Sequence, residues 1–169
     1  MGLASSAATL VLVAGVGAAA IVDLRTGRIP NPLTIALAAA GITLAGTGDS
    51  GISIGASFLG FAIGLALMLP GHALGATGAG DVKLVAAVGA IVGPVQVVNV
   101  FLLTAVAGGV LALAVAIRRG RLTATLAGTG RLVTAPADAR RTIAAPQAGN
   151  RFCYGPAIAA GSILAAVLM

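Results

Sequence analysis

Long apolar stretches, broken at intervals by Gly, Pro and charged residues, organise this chain. Read by apolar length, they predict membrane spans at residues 3–22, 33–46, 52–69 and 153–169. Residues 84–117 carry no charge at all. As one helix at roughly 1.5 Å per residue, that stretch would reach about 50 Å, against a hydrocarbon core of about 30 Å. "VGPVQVVN", residues 92–99, supplies Gly, Pro and polar side chains for a turn, which divides it into two shorter spans. The pattern predicts six spans.

Composition agrees. With 59% hydrophobic and 8% charged residues, the chain is far from soluble proteins, in which roughly a quarter of residues are charged. It reads as an all-α polytopic helix bundle, residues 1–169 forming a single integral membrane domain. The net charge of +6 does not point to nucleic acid: there is no Trp and one Tyr for base stacking, and the basic residues sit between apolar spans.

Their placement orients the bundle. Arg25 and Arg28 follow the first span and Lys83 the third. Arg118, Arg119, Arg121, Arg131, Arg140, Arg141 and Arg151 separate the fifth from the sixth. An even number of crossings lies between any two of these groups, so all can share the cytoplasmic side. The other side holds the two termini, the 46–51 turn with Asp49 and the Pro94 turn, without a Lys or Arg. The basic loop 118–151 mixes Arg with Ala, Gly, Thr and Pro; it either lies on an anionic inner leaflet or forms a solvated linker.

Few residues remain for chemistry. Cys153 and His72 are each the only one of their kind, which excludes an internal disulfide and a tetracysteine zinc module. Without a supporting motif, they read as a packed thiol and an interfacial imidazole. "MGLASS" matches a myristoylation pattern of a kind that arises by chance. The first apolar segment lacks the basic n-region of a signal peptide and reads as a retained span. The GxxxG pairs Gly51/Gly55, Gly60/Gly64 and Gly89/Gly93 favour close helix packing.

The acidic inventory is Asp23, Asp49, Asp81 and Asp138, with no Glu. Asp49 falls in an outer turn and Asp138 in the basic loop. Asp23 closes the first span and Asp81 opens the fourth, both at the cytoplasmic edge. Carboxylates at the margin of hydrocarbon are costly and commonly mark function. Two that approach each other would share a proton, one drawing a proton from water while the other donates to a peptide carbonyl. Neither a cofactor nor a metal is required. Gly78 and Gly80 are expected to permit a sharp turn through positive φ and a close approach of substrate. Lys83 either favours the ionised carboxylate or snorkels to the headgroups. For Asp23 the plain reading is a stop before a turn containing Pro30, Asn31 and Pro32.

These segments resemble the prepilin peptidases, membrane aspartic proteases of the GxGD type, in the short form that accompanies Tad/Flp pili. "DLRTGRIPNPLT" (23–34) is similar to the family's first motif, "GAGDVKL" (78–84) to its second and "YGPAIAAG" (154–161) to its C-terminal span. The resemblance implies that Asp23 and Asp81 are catalytic and that Gly78, Gly80, Lys83, Pro30 and Asn31 shape the site. It also implies a bacterial inner-membrane protein that cuts a prepilin leader ahead of the pilin's apolar helix, on the cytoplasmic side. With one cysteine, the chain is similar to the peptidase-only branch. Gly27 and Cys153 depart from the usual pattern. Whether the chain forms a homo-oligomer is left open.

Two other readings use the same residues. In a proton-coupled transporter or channel component, Asp23 and Asp81 would form a relay, which calls for polar residues deeper in the spans; only Gln96 and Asn99 stand out. In a scaffold subunit the two acids would be silent.

Overall fold

The computed structural model describes residues 6–75, 77–118 and 154–168. Among these are six helices and no strand: α1 (Ser6–Thr26), α2 (Asn31–Thr47), α3 (Ile54–Ala73), α4 (Ala79–Val92), α5 (Pro94–Arg118) and α6 (Gly155–Leu168). The expected all-helical architecture is present. Ala7–Thr26, Ile54–Ala73 and Pro94–Val115 are long and apolar enough to cross a membrane, while Asn31–Thr47 and Gly155–Leu168 are shorter apolar helices. The expectations for Asp138, Cys153, most of "MGLASS" and the basic loop beyond Arg118 fall outside the described residues.

Glycines end the helices. Gly27 takes φ +64°, and its N–H donates to the Asp23 carbonyl at 2.7 Å, so α1 runs one turn past Asp23 before stopping. The turn expected across residues 92–99 is narrower than that: Gly93 alone, at φ +84°, reverses the chain. Pro94 then opens α5, where its missing N–H costs nothing. Gln96 and Asn99 therefore lie one turn apart inside α5, the Asn99 amide donating to Gln96 Oε1 at 2.8 Å.

All five other helices pack against α4. From Leu84 to Ile91 every residue that is not glycine is fully buried. A helix apolar on all sides belongs in such a position. Neighbours come close because they present glycine. A Cβ on Gly41 of α2 would stand 2.8 Å from Ile91 Cγ1, and one on Gly64 of α3 2.7 Å from the Val85 carbonyl oxygen. Gly60 and Gly89 face each other so closely that a Cβ on either would strike the other's carbonyl oxygen. Ser57 adds a buried hydrogen bond, its hydroxyl donating to the Ala90 carbonyl at 2.6 Å. Of the GxxxG pairs, then, Gly60/Gly64 and Gly89 make helix contacts, whereas Gly51 (φ +72°) and Gly93 form turns.

Large apolar side chains face outward on the surrounding helices. Leu10, Ile35, Phe58, Leu102, Val106 and Val167 are each more than half exposed, and no residue of α4 joins them. An apolar exterior of this extent suits hydrocarbon rather than water.

Candidate active site

Consecutive helices alternate in direction. The end of α1, the start of α2, the end of α3, the start of α4, the end of α5 and the start of α6 therefore gather at one end of the bundle. Arg25, Arg28, Lys83 and Arg118, the only Lys and Arg among the described residues, all stand at this end. Asp49 lies at the other, in the α2–α3 turn, where it accepts the Thr47 hydroxyl at 2.8 Å.

Asp23 and Asp81 are both at the basic end, and both are buried, 5% and 8% exposed. Asp81 stands in the first turn of α4, ahead of the apolar run that begins at Leu84 and so outside the span proper. Its Oδ2 accepts the Gly78 N–H at 2.9 Å, satisfying one of the free donors at a helix start. Burial nevertheless pushes the Asp81 carboxyl up; the Gly78 bond opposes this and the negative charge of Asp23 adds to it, so that Asp81 titrates at about 6.

A third element closes the site. The main-chain N–H of Gly155, the first residue of α6, donates to Asp23 Oδ2 at 2.9 Å in a buried hydrogen bond. Tyr154 precedes it, half-buried, its ring lying on Gly108 of α5, where a Cβ would come within 2.6 Å of Cε2. Sequence reading had assigned no site role to either residue. The available signal was a glycine directly after the single tyrosine, at the head of the last apolar run.

The glycines of the GAGD segment do not make the turn through positive φ expected of them. Gly78 has φ −73° and Gly80 is not among the positive-φ residues, so no left-handed turn is needed here. What matters is room. A Cβ on Gly78 would stand 3.0 Å from Asp81 Oδ2, and one on Gly80 3.0 Å from Ile29 Cβ and 3.3 Å from its carbonyl oxygen. Gly80 thus lets the α1–α2 connection lie directly against the start of α4, with Ile29 buried between them.

The "IPN" triplet is divided in the same way. Ile29 fills the contact, Pro30 in extended conformation (φ −67°, ψ 138°) ends the connection, and Asn31 begins α2. Lys83 joins the two segments, its ammonium donating to Asn31 Oδ1 at 2.8 Å. It does not figure among the groups that shift Asp81. Both partners are exposed. Lys83→Met and Asn31→Ala should therefore each cost about 1 kcal/mol or less, and the double variant no more than the larger single one. Thermal unfolding in detergent measures this; a loss of several kcal/mol would mean the pair carries the fold.

Upstream of this segment, the imidazole Nδ1 of His72 lies 3.0 Å from the Thr77 carbonyl oxygen, tying the α3–α4 connection to the end of α3. Among the described residues no three His, Cys, Asp or Glu side chains gather as a metal site. The arrangement is two buried carboxyls, each held by a main-chain N–H, at the basic end of an apolar bundle. The family model described as the type IV leader peptidase family matches residues 10–113, more than half of the chain and both aspartates. No curated protein and no solved structure matches it.

Proposed function

Because this chain belongs to the type IV leader peptidase family, we propose that it is a membrane aspartic endopeptidase that removes the leader of Tad/Flp-like type IV prepilins, with Asp23 and Asp81 as the catalytic pair. The observation that carries this reading is that two buried acids, from separate helices, stand at the same end of the bundle, each bonded to a main-chain N–H.

The chemistry follows from their surroundings. Asp81, raised toward neutrality, is the member that holds the proton and donates it to the scissile carbonyl oxygen. Asp23 takes a proton from water as the water oxygen bonds to the carbonyl carbon. Collapse of the tetrahedral intermediate breaks the C–N bond, the departing nitrogen taking the proton from Asp23 while one hydroxyl proton of the intermediate returns to Asp81. Peptide and water become a carboxylic acid and an amine. Tyr154, directly before Gly155, brings a phenolic hydroxyl to the same end of the bundle.

Positive-inside sidedness supports a cytoplasmic site in a bacterial inner membrane, since the described basic residues all stand at the same end as the aspartates. Six crossings with both termini outside fit the alternating helices. A prepilin suits the surface: its leader would approach from water, while its apolar helix would lie in lipid against the outward side chains of the bundle.

Wild-type protein reconstituted in vesicles with a full-length prepilin should release a leader ending in glycine, identified by intact mass. A pH-sensitive dye inside the same vesicles reports the transporter alternative. Proton flux without cleavage would overturn the peptidase reading.

The pH dependence has a definite sign. Asp81 must be protonated to act as the acid, so kcat/KM should fall as pH rises through about 6, approaching a tenfold loss per unit above it. The limb belongs to the coupled pair rather than to one residue. A profile flat from pH 5 to pH 9 would remove Asp81 from the acid role.

A further inference from the structure

We infer that the main-chain N–H of Gly155 is a positioning group of the hydrolytic site, holding the Asp23 carboxylate in one orientation from the head of α6. This deepens the peptidase reading and rests on it. It concerns a residue outside the matched segment 10–113.

Three observations carry it. The bond is short and buried, and it joins residues at opposite ends of the chain, Gly155 N–H to Asp23 Oδ2 at 2.9 Å. The position excludes any side chain: a Cβ at 155 would stand 2.8 Å from Asp23 Oδ2 and 2.9 Å from Asp23 Cβ, displacing the very group the N–H holds. Finally, α6 is seated so that this donor arrives where it does. Tyr154 rests on Gly108, and Gly161 lies so close to Thr104 that a Cβ there would strike its hydroxyl. Two close approaches between α5 and α6 thus set the height of the α6 start against α1.

The physical consequence is specific. A first-turn N–H has no partner within its own helix and points along the positive end of the helix dipole. Donated to a carboxylate oxygen, it makes a charge-assisted bond that restrains rotation of the carboxylate. Asp81 receives its own restraint locally, from Gly78 within the same turn. Asp23 sits one turn before the end of α1, where local main-chain N–H groups are taken up by the helix, so an external donor must come from another element. Pre-orientation of this sort acts on the chemical step rather than on substrate binding.

The test removes one N–H and adds no atom. Residues 153–169 are made synthetically with an ester in place of the Tyr154–Gly155 amide and joined by native chemical ligation at Cys153, the single cysteine, to residues 1–152 labelled with ¹³Cγ-aspartate. A control chain carries the ester at Ala157, whose N–H donates to the Tyr154 carbonyl at 3.0 Å. The 155 ester should lower kcat about tenfold to a hundredfold at unchanged KM. It should also move the Asp23 ¹³Cγ resonance, leaving Asp49 in place. The 157 ester should do neither. Equal effects from the two esters would reduce Gly155 to a support of α6, and an unmoved Asp23 resonance with unchanged kcat would overturn the inference. If the all-amide ligated chain cleaves no prepilin, the peptidase reading fails, and the Asp23 resonance still decides whether the Gly155 bond holds the carboxylate.

Discussion

Asp81→Asn and Asp23→Asn should each reduce leader removal by at least about a thousandfold while leaving the bundle folded. Asparagine has the shape of aspartate and keeps one carbonyl oxygen. In Asp81→Asn that oxygen can still accept the Gly78 N–H, and in Asp23→Asn that of Gly155. The helix starts that these bonds organise are retained. What is lost is the exchangeable proton: a carboxamide neither takes a proton from water nor gives one to a carbonyl oxygen at neutral pH. Because the two acids act as a unit, the double variant should be no slower than either single one. Asp49→Asn is the internal control. Its carboxylate serves a turn at the opposite end of the bundle, and its replacement should leave processing within a factor of about two. Gel mobility of a co-expressed prepilin, with unfolding temperature measured on the purified variants, decides the matter. Cleavage that persists in both Asp23→Asn and Asp81→Asn would remove the pair from catalysis.

The largest loss of stability should come from Gly60→Val or Gly89→Val. At this crossing of α3 and α4 main chain lies on main chain. A Cβ on Gly60 would strike the Gly89 carbonyl oxygen and stand 2.9 Å from both the Gly89 and the Gly93 carbonyl carbons; one on Gly89 would strike the Gly60 carbonyl oxygen. Side chains escape crowding by changing rotamer, whereas helix backbone moves only with the whole helix. Separating α3 from α4 would also pull the Ser57 hydroxyl from the Ala90 carbonyl and open the central helix that carries Asp81. Each variant should lose more than about 3 kcal/mol and fail to accumulate in the membrane. Gly17→Ala and Gly109→Ala make the contrast. Nothing lies within 4 Å of a Cβ at either position, and neither glycine has positive φ. Both lie within helices, so alanine there should raise stability by about 0.5–1 kcal/mol. Detergent unfolding curves test the pair, and a Gly60→Val protein as stable as wild type would mean that the two helices are not in backbone contact.

The two acids were legible in the sequence because charge is so scarce in this chain. With four carboxylates to consider, span order was enough to bring Asp23 and Asp81 to one edge. Lys83 and Asn31 were visible as motif residues, but their partnership was not: each belongs to a different helix start, and only the parallel course of α2 and α4 brings the ammonium to the amide oxygen. Of the two uses expected of the GAGD glycines, the turn through positive φ is absent, while a close approach is present, to Asp81 and Ile29. Glycine can serve either a positive φ or a close approach, and composition does not distinguish the two; the conformation of Gly78 and the nearness of Ile29 to Gly80 do. GxxxG spacing was ambiguous for a similar cause, since Gly60 and Gly64 face a neighbouring helix while Gly51 and Gly93 turn the chain.

By itself the sequence determined that this is an apolar, helix-forming chain and brought Asp23 and Asp81 to one end together with the basic residues among those described, because hydrophobic run length and charge placement are properties of the linear order. The tertiary structure decided which helix lies at the centre, why its neighbours must be glycine where they touch it, and that α6 supplies the N–H that holds Asp23. Those are matters of distances between segments remote in sequence, where a few tenths of an ångström separate a contact from a clash, and residue order alone carries no such measure.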